Sequence, residues 1–436
     1  MVNRFVRDLA IKLISNHPKR VSGLVSRLNN ELLLGVVSHY VDVTMTDKRR
    51  EGTPEYDYIK TAGECLVNLG RDALTRFSPE ARDRFIEFLV YSFLGYFKRQ
   101  KTRAEGKAAP FAIAISPTER CNKNCYGCYA AKQSKKNELS FDEVNRIVGE
   151  GLEMGTYSYV FVGGEPFMWE PVYRLFEEQP KAFFHIFTNG TLLDVDRLPV
   201  NTMTLFSLEG GEQRTDERRG EGTFKTVMEK MQGLNEKGVS YGASVTVTSE
   251  NFREALDDKF VDDLLFNRGA HTIWYFLYIP EGREPNLDLM PTPEQRFFVR
   301  NRVREIRERT KKLVVSFWDD GETLSGCIAG GHRYLHINSL GDVEPCVFLH
   351  YTDDNIKGKT LQEVLNSRFL KGMRANQPFG ENKGNPCPII DHNDILRRIV
   401  QETGAHPTYK GAESLTCDFG CFFDAYSRRY TELLNS

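Results

Sequence analysis

Hydrophobic and polar positions repeat with two different periods along this chain. Between residues 110 and 310, short apolar runs rich in β-branched and aromatic residues recur between stretches with helical spacing. Six strand-like runs stand out, at 111–116, 157–163, 183–188, 202–208, 240–248 and 271–279. The helical stretches carry their own start and stop signals. LSFDEVNRIVGEGLEMG reads as a helix with Ser140 as N-cap and Glu143 three residues on, a capping box. FKTVMEKMQGLNEKG reads as another, closed by Gly238. Strands that alternate with helices predict βα units around a parallel sheet, an α/β fold.

The flanks differ. Residues 1–105 are helical in pattern, and two segments matter. MVNRFVRDLAIKLI has the spacing of a basic amphipathic helix. RDRFIEFLVYSFLGYFKRQKTR is apolar nearly all round, with a basic end, and is too short to span a bilayer comfortably. It predicts either a helix buried against the α/β region or one lying at a membrane surface. QKTRAEGKAAP reads as a linker into the α/β region, 106–310. Residues 311–436 form a smaller α+β unit, with a β-hairpin turn at Gly341–Asp342.

Composition adds exclusions. The chain has 436 residues and is 40% hydrophobic, with a mean hydropathy of −0.45, as suits a globular protein with an ample core. Its net charge of −2 gives no reason to propose nucleic acid as a partner. The N-terminus is amphipathic and broken by charges, unlike a secretion signal. Nine cysteines, an odd number, speak against a disulfide framework. The expectation is a cytoplasmic protein, with peripheral contact on the inner face of a membrane as a second reading.

Candidate chemistry concentrates at the ends of the strand-like runs. Cys121, Cys125 and Cys128 lie in CNKNCYGC, just after FAIAIS. Three thiolates this close can share one metal centre. Three is one short of the four that usually hold a [4Fe–4S] cluster, and so leaves one iron open to a small molecule. A structural zinc site closes with four protein ligands and would need a distant fourth. The next strand ends in Gly163, Gly164, Glu165 and Pro166, the one after in Thr188, Asn189 and Gly190, and TMTLFSLEGG brings Ser207 and Glu209.

In this order, the Cx3Cx2C loop, GGEP, TNG and the Ser207 strand resemble the radical S-adenosylmethionine (radical SAM) superfamily. The resemblance covers roughly residues 110–400. It implies a partial (β/α)6 TIM-like barrel with its chemistry at the C-terminal ends of the strands. It also implies reductive cleavage of SAM at the cluster to a 5′-deoxyadenosyl radical, which abstracts hydrogen from an unactivated C–H bond. Gly163 and Gly164 would let the backbone approach the methionine end of SAM, and the Glu165 carboxylate or adjacent carbonyls would accept from its ammonium. Asn189 belongs to the same cofactor-binding set. Ser207 and Glu209 would read the ribose. Arg219, in preference to Arg218, would hold the SAM carboxylate. Val247 or Val245 would back the adenine. The family commonly has an aromatic residue before the third cysteine. Here that position is Gly127, and Tyr129 is expected to supply the stacking.

Further on, Cys327, Gly341 and Cys346 are spaced as in the SPASM/twitch extension of the same superfamily. That implies one auxiliary iron–sulfur cluster, a [4Fe–4S], on Cys327, Cys346 and Cys387, with Cys421 rather than Cys417 as the fourth ligand. The dense downstream cysteine set of a full SPASM domain is missing, which argues against a second auxiliary cluster. Cys65, in a helical stretch, reads as a buried small hydrophobe. Asp319 and Asp320 in FWDDGE are the best candidates for acid–base work. A ferredoxin or flavodoxin-type protein would donate the electron. The basic, apolar N-terminal helices tip the substrate toward a lipid or other long-chain molecule, and a peptide is the alternative. A non-catalytic zinc or iron–sulfur module would have no need of GGEP or TNG.

Overall fold

All six strand-like runs form strands, trimmed at their ends. They are β1 (Ala112–Ile115), β2 (Ser158–Phe161), β3 (Phe183–Thr188), β4 (Thr202–Leu208), β5 (Ser240–Val247) and β6 (Thr272–Leu277). The computed structural model describes residues 34, 35, 38, 54–130, 136–324 and 326–436. β1 to β6 lie side by side in sequence order, each parallel to the next. This is the curved parallel sheet of the expected partial barrel. Ile113, Ile115, Phe161, Phe184, Ile186, Phe206, Val245 and Ile273 are all fully buried in its core.

The intervening helices end where expected. Phe141–Met154 starts on the Ser140–Glu143 capping box and stops at Gly155, φ 88°. Thr223–Lys237 stops at Gly238, φ 66°.

The sheet does not stop at residue 310. β7 (Leu313–Ser316) pairs parallel with β6 at one edge. β8 (Tyr334–Ile337) pairs parallel with β1 at the other. β9 (Val343–Glu344) returns antiparallel on β8 through the hairpin around Gly341, φ 89°. The strand order is β7-β6-β5-β4-β3-β2-β1-β8-β9. The C-terminal residues therefore complete both flanks of the barrel sheet, and the boundary expected at 310/311 falls inside it.

The helix Pro79–Ala104 covers the barrel. Phe88 stacks on Phe183 with ring centroids 4.6 Å apart, Tyr91 stacks on Tyr157 at 5.2 Å, and Arg103 donates to Ala109 O and His332 O at 2.9 Å. Of the two readings of this segment, burial against the α/β region is the one observed. The helix runs on into the expected linker as far as Ala104. No helix among the described residues is long and apolar enough to cross a membrane. The amphipathic helix expected at 1–16 lies outside the described residues. Cys65 is fully buried in the helix Pro54–Arg76.

Asp319 and Asp320 correct an expectation. Both follow β7, and both are held by cations from the helix Pro293–Thr310. Arg296, itself fully buried, donates to Asp319 Oδ1 at 2.9 Å and, through both terminal nitrogens, to Asp391 at 2.6 and 3.2 Å. Ser316 and Tyr430 add hydroxyl donors to Asp319. Arg307 donates to Asp320 Oδ2 at 2.5 Å, as does Ser316 N at 2.9 Å, and Tyr58 O–H donates to Oδ1. These acids tie the helix Pro54–Arg76, the barrel and the C-terminal helix Gly420–Leu434 together. Neither lines the cavity that the first three cysteines share.

Candidate active site

Cys121, Cys125 and Cys128 line one cavity beyond the end of β1, together with Glu119, Lys123, Ala130, Gly164 and Arg283. The loop that carries them has few backbone partners of its own and is held from outside. Arg218 donates to Tyr126 O and Gly127 O at 3.1 and 3.2 Å. Arg283 donates through its backbone N to Cys128 O at 3.0 Å and through Nη1 to Cys125 O at 3.2 Å. Gly282, φ 78°, lets this second loop close down, because a Cβ there would lie 2.2 Å from Cys128 O. Gly127 is accounted for as well. Its φ is 61°, and a Cβ would meet the Tyr278 ring at 2.6 Å. An aromatic ring from the end of β6 therefore stands against the position where the family has its own.

The GGEP turn is pressed onto the cysteine loop. A Cβ on Gly163 would lie 2.4 Å from Thr118 O, and one on Gly164 2.3 Å from Arg120 O. Pro166 is buried at the start of a single 3₁₀ turn. Glu165 turns inward and is fully buried, accepting from Thr188 Oγ1 at 2.7 Å, Asn189 N at 2.8 Å and Phe167 N at 3.3 Å. Burial pushes its carboxyl up to about 7, against those hydrogen bonds. Of the two acceptors expected for a SAM ammonium, the carboxylate is thus occupied within the protein, which leaves the neighbouring carbonyls. Asn189 Nδ2 donates to Asn122 Oδ1 at 2.9 Å and fastens TNG to the cysteine loop.

The remaining expected contacts divide. Glu209 and Arg219, assigned to two ends of SAM, pair with one another at 2.6 Å, and Arg218 adds two bonds of 2.8 Å to the same carboxylate. Ser207 is half-buried on β4, while Val245 and Val247 are fully buried in the core. Tyr129 packs its ring on Phe348 at 5.1 Å and parallel to His350 at 6.4 Å, toward the C-terminal region.

Cys327, Cys346 and Cys387 form a second group. The β8–β9 hairpin brings Cys346 near the other two, and each thiol is electrostatically felt by another. Burial pushes Cys327 up to about 11 and Cys346 well above the ordinary thiol value. Cys121 is likewise pushed up to about 11. Metal binding would have to displace the protons of these thiols, and a thiol donor set fits iron–sulfur ligation. The cysteines expected to supply a fourth ligand lie at the surface. Cys417 and Cys421 are both exposed, beside the start of the helix Gly420–Leu434.

Between the two groups lies a buried polar cluster that the motifs did not reveal. His336 Nδ1 and His350 Nδ1 meet the same oxygen of Glu344 at 2.6 and 3.1 Å. His336 Nε2 meets Ser116 Oγ at 2.7 Å. Glu281 accepts from Tyr409 O–H at 3.1 Å and lies 4.0 Å from His350 Nε2. Against burial, which opposes its charge, Glu344 lifts His350 to about 9. The available signal was adjacency: Glu119 stands two residues before Cys121, and Glu281 stands in EGRE beyond β6.

Comparison with known proteins agrees with this geometry. Residues 115–259 match the family model described as "Radical SAM superfamily". The Fe-coproporphyrin III synthase of Methanosarcina barkeri is 30% identical over 331 residues, 65% of this chain and 81% of that protein. The AdoMet-dependent heme synthase of the same organism is 27% identical, over 66% and 90% of the two chains. Among solved structures, Streptococcus suis SuiB bound to S-adenosylmethionine superposes with a TM-score of 0.55 at 16% identity, over 75% of this chain and 81% of SuiB. SuiB bound to its precursor peptide SuiA gives 0.53 at 17% identity, over 68% and 71%. At those identities the likeness is one of fold.

Proposed function

Because this chain belongs to the radical SAM superfamily, we propose that the cavity of Cys121, Cys125 and Cys128 is where it generates a radical and presents it to a substrate C–H bond. The chain is an enzyme whose cofactors are S-adenosylmethionine and a [4Fe–4S] cluster. When bound, they supply a 5′-deoxyadenosyl radical that removes a hydrogen atom. The three thiols would hold the cluster. Gly163 and Gly164 would keep the backbone close beneath the methionine end, and Lys123 and Arg283 are the cations at hand for its carboxylate. The Glu209–Arg218 pair holds the loop in place from behind. A ferredoxin or flavodoxin-type protein would bring the electron.

The observation that carries this reading is the convergence of three thiols and Gly164 on one cavity. Anaerobically reconstituted, reduced protein should form 5′-deoxyadenosine from SAM. Gly164→Val should lower that rate by about 10²-fold or more, because its Cβ would lie 2.3 Å from Arg120 O and displace the loop that leads into Cys121. Replacing Cys121, Cys125 and Cys128 together by Ala should remove about four irons per chain. A wild-type protein that binds no SAM would defeat the reading.

Cys327, Cys346 and Cys387 would hold an auxiliary iron–sulfur cluster, and their triple Ala variant should lose iron without losing SAM binding. For the substrate, the buried polar cluster favours a molecule with polar groups beside the reacting carbon. A peptide, as in SuiB with SuiA, meets that description better than a lipid chain.

A further inference from the structure

Buried carboxylates normally have partners, because a desolvated acceptor without one costs free energy. Glu119 has none. It is 1% exposed, and neither carboxylate oxygen has a hydrogen-bond partner among the described residues. It also lines the cavity of the three cysteines. Glu281 repeats the pattern, since it is 1% exposed, and Tyr409 serves one oxygen while the other has no partner among the described residues. The Glu119 side chain shares the cysteine cavity with Lys123, Gly164 and Arg283. Glu344 is already satisfied by His336, His350, Asn338 and Thr408. The unmet demand in this space is for hydrogen-bond donors.

We propose that Glu119, with Glu281 of the polar cluster as a second unsatisfied acid, is the anchor for a nitrogen-bearing donor group on the substrate: an ammonium, a guanidinium or an amide N–H placed next to the radical site. This rests on the radical SAM reading and narrows its substrate. A donor entering this cavity would fill the empty acceptor positions of Glu119, and charge-assisted bonds are the strong ones. A substrate that presents carboxylates beside the reacting carbon brings acceptors and leaves that position unfilled. The pocket therefore selects against polycarboxylates such as the coproporphyrin skeleton named for one relative, and for a basic or amide-rich peptide.

The test uses the reconstituted holoenzyme with SAM, and the probes are pentalysine, pentaglutamate and coproporphyrin III, with binding read by calorimetry. Wild type should bind pentalysine at least about tenfold more tightly than either polyanion, as suits a pocket whose unpaired groups are acids. Glu119→Gln should abolish that preference. Glu281→Gln should weaken the preference in the same direction, which covers the case of a poorly folding Glu119 variant. Tighter binding of coproporphyrin III to wild type would overturn the proposal. So would a tenfold loss of SAM affinity in Glu119→Gln with the pentalysine preference intact, which would make Glu119 part of the cofactor site. Either result would leave the radical SAM reading standing, whereas failure of wild type to bind SAM would remove both.

Discussion

The chain buries two pairs of acids and treats them in opposite ways. Asp319 and Asp320 are 1% and 6% exposed, and each has a guanidinium and hydroxyl donors on its oxygens. Glu119 and Glu281 are both 1% exposed, and three of their four oxygens have no partner among the described residues. Burial alone does not distinguish a structural acid from a functional one; the state of its hydrogen bonds does. A saturated buried carboxylate has nothing left to offer a ligand. An unsaturated one is costly to the fold and is kept where something else completes it.

The contrast is sharpest at Arg296. Replacing it by Met would leave Asp319 and Asp391 buried without their shared cation and remove a guanidinium lying 3.9 Å from the Tyr430 ring. Breaking a buried pair from one side costs about 3–5 kcal/mol. Chemical denaturation should show a loss of that order, while the protein that remains folded still cleaves SAM. A loss below about 1 kcal/mol would place this cluster with ordinary surface pairs.

Asp320→Asn should come next, at about 3 kcal/mol. It keeps the shape but leaves Arg307 facing a neutral amide in a buried site. Its loss should also loosen the helix Pro54–Arg76, since Tyr58 bonds the same carboxylate. Faster amide exchange confined to that helix and β7 would separate this effect from global unfolding. If 5′-deoxyadenosine formation fell with no change in stability, the acid would be catalytic after all.

What the sequence made legible follows from range. The period of apolar residues marked β1 to β6, and the Ser140–Glu143 capping box was readable because its partners are three residues apart. The loop CNKNCYGC could be read for the same reason. Asp319 and Asp320 misled because tandem acids before a glycine look like a polar turn open to a site. Their partners Arg296, Arg307 and Tyr58 lie on other elements, Tyr58 262 positions away. Gly127 looked like a missing aromatic because Tyr278, which stands against it, comes from another strand end. That the sheet continues past 310 was not legible, because β7 and β8 join it at its edges, and edge pairing leaves no local mark. Cys327, Cys346 and Cys387 are far apart in sequence, so only the likeness to a known spacing joined them before the hairpin did.

The smallest effect separates the two pairs of acids by pH. Burial pushes Glu281 up to about 7, opposed by His350 and by the hydrogen bond from Tyr409, with Glu344 adding to the rise. In the unfolded chain a glutamate titrates near about 4.3. Between those values the folded protein holds a proton that the unfolded chain has released. Stability therefore falls as pH rises through that window, and levels off above it. Each tenfold change in proton activity across the window is worth about 1.4 kcal/mol, so Glu281 accounts for a fall of about 2–3 kcal/mol between roughly pH 5 and pH 8. Glu281→Gln cannot release a proton and should remove that part of the slope. Measured by urea denaturation, the variant should match wild type near about pH 5 and exceed it by about 2 kcal/mol near about pH 8. Asp320→Asn should show no such gain, because it destabilises at both pH values by unpairing Arg307. If Glu281→Gln and wild type kept the same slope, the second oxygen of Glu281 would have a partner in solution, and the distinction between satisfied and unsatisfied acids would fail at this residue.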